Sequence, residues 1–487
     1  TCALPISRSG AAMAENGIRM SKNHFESILR CCPEYALTGA IDELRANDYG
    51  RLDRLNHVYL DYTGGGLYSD SQIERHNELL RTHVFGNPHS HNPTSEEMTG
   101  LVERARRRVL EFFGAPADEY AAVFTSNASA ALKLVGESYP FAPGGRYLLT
   151  FDNHNSVNGM REFARARGAE IRYAGIRLPD MRVDEGELTA ALEAGPRGGP
   201  SLFAYPAQSN FSGVQHPLEW IGKAKELGWD VLLDAAAFVP TNRLDLSKWK
   251  PDFVTLSFYK MFGYPTGVGC LLARYEALRK LRRPWFAGGT ITVASVQGDR
   301  YFMADGAAAF EDGTPDYLNI PAVEYGLDHL ERVGMDLIHS RVTCLTRALL
   351  KGLSGIRHAN GRELVRIYGP LETEMRGGTV TMNLLDAAGE MIDHREVEAA
   401  AAREGISIRT GCFCNPGGGE VALEITPEEL TGCFTQPEVE ESKRFTVDDF
   451  RSCVVGKGSG AVRVSVGVVS NAADVERLLG FVAGFAG

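Results

Sequence analysis

Asp234 and Lys260 have the residue types and positions to do chemistry, because each stands at the end of a short apolar run, VLLD and VTLSFYK. The apolar neighbours of Lys260 in SFYKMFGYPTG would lower the pKa of its amine and make that amine nucleophilic. Pyridoxal 5′-phosphate (PLP) needs a lysine for its Schiff base and an acid beside its pyridine nitrogen. The pair predicts a PLP site, although for these two residues alone a helix cap and a solvated lysine remain an alternative.

A phosphate needs a cradle of N–H and O–H donors, and one turn of the sequence could supply it. Asn127, Ala128 and Ser129 lie where the apolar run AAVFTS passes into a helical pattern. The first turn of a helix presents free amides to an anion. Ser and Asn are also ordinary helix caps. Ser257 and Tyr259 stand on the side of Lys260 from which they could reach the same phosphate.

Two histidine positions invite a functional interpretation. His154, in the loop DNHNS, could lie flat on the cofactor ring, and the alternative is an ordinary surface histidine. His89 and His91 in GNPHSHNP form a second pair. From the residues alone, a structural role is open for both.

The elements that must position these residues alternate along the chain. Apolar runs read as buried strands and are separated by helical patterns, which predicts an α/β fold with a mostly parallel sheet covered on both faces. Ligands then bind at the carboxyl ends of the strands. The predicted strands are 121–126, 146–151, 201–206, 230–235, 252–257 and 267–273.

A change of rhythm near residue 320 predicts a second, smaller α+β domain. Two long helical patterns are followed by strands at 377–385 and 406–410, a helix at 396–404, and a strand at 461–467 before a last helix. We assign 1–20 to an extension, 21–59 to an N-terminal segment on the small domain, 60–319 to the large domain and 320–487 to the small one. A polar, acidic insertion spans 417–457.

Composition excludes several classes of function. The chain has 487 residues, with 51 Lys and Arg against 62 Asp and Glu, so a net charge of -11 argues against nucleic acid or an anionic membrane. No apolar run approaches the about 20 residues of a membrane span. With nine irregularly spaced cysteines we expect no disulfide framework and a cytoplasmic protein. Cys412, Cys414 and Cys433 could ligate a metal, but their spacing lacks the usual pairs, so we predict none.

Seven segments together resemble one family. In chain order they are FTSNASAALKLV, DNHNSV, LLDAAAFV, LSFYKMFGYPTGVG, FEDGTPDYL, IRTGCFCNPG and GAVRVSVG. They resemble the class V aminotransferase and cysteine desulfurase family, within it most closely the amino-terminal PLP domain of molybdenum cofactor sulfurases. The resemblance implies a fold-type I homodimer with Lys260 bound to PLP, Asp234 on the pyridine nitrogen and His154 on the ring. It also implies phosphate contacts from Ser129, Ser257 and a neighbouring subunit's Thr314. The resemblance places the loop of His89 near the entrance of the active site, which makes His89 a candidate substrate contact.

The resemblance also assigns roles in the small domain. Cys414 takes the position of the nucleophile that forms a persulfide, and Arg463 that of the clamp on the substrate carboxylate. A planar guanidinium matches a carboxylate bidentately. Arg409, five residues before Cys414, would supply the positive charge that keeps a reactive thiol at low pKa.

The implied activity is conversion of L-cysteine to L-alanine and an enzyme persulfide, with the molybdenum cofactor as one candidate sulfur acceptor. Many cysteine desulfurases have glutamine at the position of Ala237 and histidine at that of Tyr259, and both departures agree with the molybdenum cofactor sulfurase pattern. Two alternatives stay open. One is a class V aminotransferase, epimerase or carbon–sulfur lyase for another amino acid, and the other is a non-catalytic sulfur carrier or scaffold.

Overall fold

The computed structural model describes residues 28–88, 90–196, 198–435, 445–454 and 460–487. The proposed extension 1–20 and His89 lie outside these residues, as do parts of 21–59 and of the insertion 417–457. Within the described ranges, no helix is both long and apolar enough to span a membrane.

A seven-stranded sheet forms the centre of the larger domain. Six strands run in one direction and one, Gly269–Arg274, runs against both of its neighbours. This confirms the predicted α/β fold with a mostly parallel sheet. The spatial order is Tyr120–Thr125, Gly269–Arg274, Phe253–Ser257, Asp230–Asp234, Ser201–Pro206, Arg146–Thr150 and Glu170–Ala174.

Helices cover both faces of this sheet, and polar caps fix where several of them begin. Asn127 caps the helix that follows the first strand, and Asn92 with Pro93 starts the longest helix of this domain. Two short hairpins, Ile176–Arg177 with Arg182–Val183 and Ile291–Ser295 with Arg300–Met303, lie outside the sheet. The helices are Asp70–Thr82, Pro93–Phe112, Ala128–Ser138, Asn155–Asn158, Arg161–Ala166, Glu185–Glu193, Glu219–Glu226, Phe258–Phe262 and Tyr275–Leu278.

The second domain is built on a four-stranded antiparallel sheet. Its spatial order is Val365–Tyr368, Thr379–Leu384, Ala461–Ser465 and Arg409–Gly411. The predicted strand at 406–410 is divided, because Ile406–Ser407 pairs instead with Val58–Tyr59. Its helices are Met335–Gly355, His394–Arg403, Pro416–Ala422, Pro427–Phe434, Val447–Cys453 and Ala472–Ala483. The helix Pro321–Val333 packs mainly on Pro93–Phe112 and Asp70–Thr82 of the larger domain.

An N-terminal segment packs against the second domain. It contains the 3₁₀ helix Pro33–Thr38 and the helices Ala40–Asp48 and Arg51–Arg54. Arg45 and Asp474 form a buried ion pair at 2.6 Å, and the Nη1 of Arg341 donates to Thr38 at 2.9 Å. These contacts tie the two ends of the described chain together.

Two disulfides depart from the expectation drawn from cysteine spacing. Cys32 pairs with Cys344, and Cys433 pairs with Cys453 inside the predicted insertion. The partners are far apart in sequence or flank a polar segment, so spacing could not reveal them. Cys433 is therefore not available to ligate a metal with the free thiols of Cys412 and Cys414.

Candidate active site

A cavity of about 220 Å³ opens at the carboxyl ends of the parallel strands. The topology brings these ends to one edge, where the loops and helix starts that follow them meet. Eight residues singled out in the sequence line this one cavity: Asn127, Ala128, Ser129, His154, Asp234, Ser257, Tyr259 and Lys260. Ser156, Gln208 and Asn210 lie in the same wall and were not anticipated.

Lys260 reaches the cavity from the short helix Phe258–Phe262, which follows its strand directly. The helix ends at Gly263, where φ is 77° and an added Cβ would lie 2.3 Å from the backbone nitrogen of Tyr68. Burial lowers the pKa of the Lys260 amine, against the opposing charge of Asp234. Among the described residues nothing forms a hydrogen bond or ion pair with this amine. It is therefore a candidate nucleophile.

Asp234 ends the neighbouring strand and is 8% exposed. Its Oδ1 accepts a hydrogen bond from the amide of Ala236 at 3.1 Å and from the hydroxyl of Thr255 at 3.3 Å. These bonds fix the carboxylate, whose charge acts to raise the pKa of both Lys260 and His154. A fixed anion in the wall can hold a protonated ring nitrogen.

His154 lines the cavity at the start of the short helix Asn155–Asn158. Its Nδ1 accepts a hydrogen bond from the amide of Ser156 at 3.1 Å, so a neutral ring carries its proton on Nε2. Burial is the main cause that lowers the pKa of His154, with Lys260 and Arg463 adding to it. A neutral imidazole with one N–H can contact a flat ligand without adding charge.

The turn before the helix Ala128–Ser138 forms an anion cradle. The amide of Ala128 donates to Ser257 Oγ at 3.1 Å, and the hydroxyls of Ser129 and Ser156 are 2.6 Å apart. Gly269 on the adjacent strand allows the close approach, because a Cβ there would lie 2.5 Å from the Cα of Asn127. The first helical turn and these hydroxyls can together hold a phosphate.

These residues fit PLP. The cradle can take its phosphate, Asp234 its pyridine nitrogen and His154 the face of its ring, while the free Lys260 amine can bond its aldehyde. Gln208 and Asn210 lie in the same wall as Ala237, which has no polar side-chain group, and the Asn210 amide is bound to Phe413 and Asn415. The cavity thus offers a partner for the phosphate, for the pyridine nitrogen and for the aldehyde of PLP.

The cysteine loop, residues 412–415 of the second domain, is held beside this cavity by hydrogen bonds. Phe413 and Cys414 both have positive φ, at 56° and 54°, and the Cys414 side chain is exposed. The carbonyl of Cys414 accepts a hydrogen bond from the amide of Asn155 at 2.6 Å, next to His154. Left-handed backbone costs about 1 to 3 kcal/mol per residue and persists where the surroundings enforce it. The enforced turn places Cys414 beside the loop of His154, and a charge on Cys414 acts to raise the pKa of Lys260.

Asn415 is fully buried, and its hydrogen bonds help to hold this turn in place. Its Nδ2 donates to the carbonyl of Asp152 at 2.6 Å and to Oδ1 of Asn210 at 2.9 Å. Its Oδ1 accepts from the amide of Gly418 and so caps the next helix. One side chain thus joins the cysteine loop to two loops of the larger domain.

Arg463 and Arg409 do not line the cavity, and both contact Asp61. Arg463 is buried, with its guanidinium 4.7 Å from the centre of the Phe413 ring. Arg409, which we predicted to supply positive charge near Cys414, has its guanidinium bound to the Asp61 carboxylate at 2.6 Å. Asp61 was not singled out in the sequence.

Thr314 and His91 lie away from the Lys260 cavity. Thr314 lines a second cavity of about 360 Å³, together with Thr125 and Ser126 of the turn that precedes Asn127. His91 is exposed and lies 3.6 Å from Glu96. The structure of this chain alone therefore gives neither residue a contact with the site.

Comparison with known proteins gives one family. The family described as aminotransferase class V matches residues 58–478. Molybdenum cofactor sulfurase of Solanum lycopersicum is 36% identical over 472 residues, covering 91% of this chain and 57% of the relative. The human protein of the same name is 37% identical over 465 residues, covering 91% and 51%. The chain thus spans about half the length of the curated relatives it matches.

Solved structures share the fold. The apo cysteine desulfurase of Thermococcus onnurineus NA1 superposes with a TM-score of 0.74 at 24% identity, covering 91% of this chain and 97% of the other. A complex of the cystine C–S lyase C-DES with cysteine persulfide gives a TM-score of 0.66 at 16% identity, covering 89% and 98%. Since a desulfurase and a lyase share this fold, the fold does not choose between those reactions.

Proposed function

This chain belongs to the class V aminotransferase family, and from that premise we propose that it is a PLP-dependent enzyme that removes sulfur from L-cysteine. One observation carries the proposal. An amine that is unpaired among the described residues, a fixed carboxylate and an anion cradle share a cavity, and the exposed Cys414 is bonded through its carbonyl to the neighbouring loop of His154. The names of the sulfurase relatives support the same reaction.

In the proposed mechanism each of the chain's residues has one task. Bound PLP would supply an electron-accepting ring that stabilises negative charge on the substrate Cα. Asp234 holds the proton of the pyridine nitrogen, and the Lys260 amine takes the proton from the substrate Cα. The Cys414 thiolate attacks the substrate sulfur, so that an S–S bond forms while the substrate Cβ–S bond breaks. The released electron pair stays on the carbon skeleton, which gains protons and leaves as alanine.

The sulfur would then leave Cys414 for an acceptor. A persulfide is a reversible carrier of sulfur, and the exposed position of Cys414 leaves it open to a second molecule. We propose the molybdenum cofactor as the first acceptor to test, because the relatives are named for it.

The experiment incubates the purified chain with L-cysteine and a thiol reductant, which releases the persulfide sulfur as sulfide, and measures alanine, pyruvate and sulfide. A desulfurase yields alanine, whereas β-elimination by a lyase yields pyruvate, and a carrier without catalysis yields neither. Lys260→Ala should lose the visible absorption of the bound cofactor. Cys414→Ser should keep that absorption and stop sulfide release, with Cys412→Ser as the matched variant in the same loop. Pyruvate as the main product, or full sulfide release by Cys414→Ser, would reject the proposal.

We also propose that the enzyme is a homodimer in which Thr314 approaches the cofactor phosphate of the neighbouring subunit. Thr314 lies on the far side of the turn Thr125–Asn127 from the Lys260 cavity, where a second copy could meet that turn. Light scattering gives the mass, and Thr314→Ala should weaken cofactor affinity in a dimer. A monomer with full cofactor affinity would reject this arrangement.

A further inference from the structure

Asp61 lies between two arginines in the second domain. Its Oδ1 is 3.0 Å from Arg463 Nη2 and 3.1 Å from Arg409 Nε, and its Oδ2 is 2.6 Å from Arg409 Nη2. The side chain of Arg463 is 3% exposed and that of Asp61 is 11% exposed. Two guanidinium groups and one carboxylate leave this cluster with one net positive charge.

The cluster lies directly behind the wall of the Lys260 cavity. Arg463 Nη1 donates to the carbonyl of Asn210 at 3.0 Å, and Asn210 lines that cavity. The Nε of Arg463 is buried without a hydrogen-bond partner in the described part of the chain. The charge of Arg463 acts to lower the pKa of Lys260. The positive charge is therefore felt at the reactive amine.

The backbone around Asp61 is built to hold the carboxylate in this position. Asp61 follows the strand Val58–Tyr59 and bridges to Ser465 on the strand that carries Arg463. Gly64 completes the turn, because a Cβ there would lie 2.4 Å from Asp61 Oδ2 and 2.7 Å from Arg409 Nη2. Any larger residue at that position would displace the ion pair. Asp61 is thus a fixed partner of both arginines.

We infer that Asp61 is a positioning residue that sets how many carboxylates the site accepts. By neutralising one of the two arginines, it leaves charge for the α-carboxylate of a monocarboxylic amino acid and none for a second anionic group. By holding Arg463 through Nη2 it also fixes the fork that faces Asn210. The inference rests on the proposed function, since it requires that the cavity bind an amino acid.

A series of charge variants tests this. Asp61→Asn leaves two positive charges, Arg409→Gln leaves none, and Asp61→Glu retains one. The ligands are L-alanine, the monocarboxylic product, and L-aspartate, which adds one carboxylate to it. Binding is measured by calorimetry and by the change in visible absorption, neither of which requires turnover.

We expect the ratio of the alanine to the aspartate dissociation constant to change with cluster charge. Asp61→Asn should shift selectivity towards aspartate at least 10-fold, and Arg409→Gln should weaken alanine binding at least 10-fold. Asp61→Glu should stay within about 3-fold of the wild type, because it keeps the charge. The matched control is Asp474→Asn, which breaks the buried pair with Arg45 elsewhere in the domain and should leave the ratio unchanged.

Two outcomes overturn the inference. Selectivity of Asp61→Asn within 3-fold of the wild type would show that the cluster charge does not select ligands. An equal shift in Asp474→Asn would show a general effect of loosening the domain. Failure of the proposed function looks different, since the wild-type protein would then form no alanine from cysteine or would lack the visible absorption. A wild type that forms alanine while the ratio ignores Asp61 rejects only this inference.

Discussion

The charge of Asp234 acts on two groups of the site at once. It raises the pKa of Lys260 and of His154, while burial lowers both. The carboxylate therefore limits how far burial can take the lysine towards its neutral form. Its two hydrogen bonds, from Ala236 and Thr255, keep it pointing to one place. One substitution at Asp234 can remove the charge and keep the oxygen that accepts these hydrogen bonds.

Asp234→Asn keeps an oxygen for those hydrogen bonds and removes the charge. We expect kcat for alanine formation to fall about 100-fold, because the ring nitrogen loses the fixed charge that keeps it protonated, while visible cofactor absorption persists. Absorption spectra and initial rates measure the two effects. Asp230→Asn, at the other end of the same strand, is the control and should retain its rate. A rate for Asp234→Asn within 3-fold of the wild type would contradict the role.

At the scale of single residues, the sequence predicted the site residues that follow neighbouring strands of the sheet. It missed Asp61, which does not follow one of these strands. Lys260, Asp234 and His154 reach one cavity because parallel strands end at one edge. Asp61 pairs with Arg409 and Arg463, which lie 348 and 402 positions away in the sequence. Spacing carries no signal for such a contact. An aspartate before three glycines could have indicated a tight turn, although not its partners.

The cysteine loop shows how an element positions a side chain. Its two left-handed residues are held by Asn415, by the amide of Asn155 and by Asn210, whose Nδ2 donates to the Phe413 carbonyl at 2.8 Å. A loop fixed at this many points keeps its thiol in one place relative to the cavity. Pre-organisation of this kind contributes to rate when the attacking atom must meet a bound substrate.

Asn415→Ser tests the fixed loop, since serine keeps an oxygen to cap the helix Pro416–Ala422 and loses the amide donor. We expect sulfide release to fall about 10- to 100-fold, because small misplacements cost that much, while cysteine still perturbs the visible spectrum. Asn471→Ser makes the same exchange at the cap of Ala472–Ala483, which does not line the Lys260 cavity. Equal losses in the two variants would show that capping, and not the loop, was responsible.

The strand Gly269–Arg274 makes room for the anion cradle because its first residue, Gly269, has no Cβ. Gly269→Ala places a Cβ 2.5 Å from the Cα of Asn127, and the three nearest atoms all belong to the backbone. We expect cofactor affinity, measured by titration into apoprotein, to fall at least 10-fold. Gly222→Ala has no atom within 4 Å of the new Cβ, lies in a helix and should be neutral or slightly stabilising. Unchanged affinity in Gly269→Ala would show that the turn can relax.

At the scale of elements, apolar runs predicted the six buried strands of the large sheet closely. They missed the strand Glu170–Ala174 at the edge of that sheet. Glu170–Ala174 alternates charged and apolar residues and is only partly buried, so it lacks the continuous apolar pattern. The reversed direction of Gly269–Arg274 also left no trace, because a buried strand has the same composition in either direction. Similarly, Ile406–Ser407 pairs with a strand nearly 350 positions earlier, which local pattern cannot show.

Across the whole molecule, the helix Pro321–Val333 links the N-terminal segment to the reactive lysine. Gly326 of that helix packs on Phe262 so closely that a Cβ would lie 2.1 Å from the ring, and Phe262 belongs to the helix of Lys260. On the same helix, His329 Nε2 is 2.9 Å from the hydroxyl of Tyr49 in the N-terminal segment. The stability of this junction therefore bears on the site.

His329 makes this junction sensitive to acid. Burial lowers the pKa of His329 from 6.5 to about 4. In the unfolded chain this histidine is protonated below pH 6.5, whereas in the folded chain it is protonated only near pH 4. Stability is therefore full above pH 6.5 and declines as the pH falls to about 4. The shift corresponds to about 3 kcal/mol as an upper scale.

His329→Gln removes the titration and keeps a partner for Tyr49. We expect the thermal unfolding midpoint to fall less between pH 7 and pH 4.5 in this variant than in the wild type, as followed by calorimetry at both values. His91→Gln, at an exposed histidine, should retain the wild-type difference. Because carboxylates elsewhere also titrate in this range, the comparison between variants carries the information. Identical pH dependence in the wild type and His329→Gln would mean that the junction opens before the histidine is protonated.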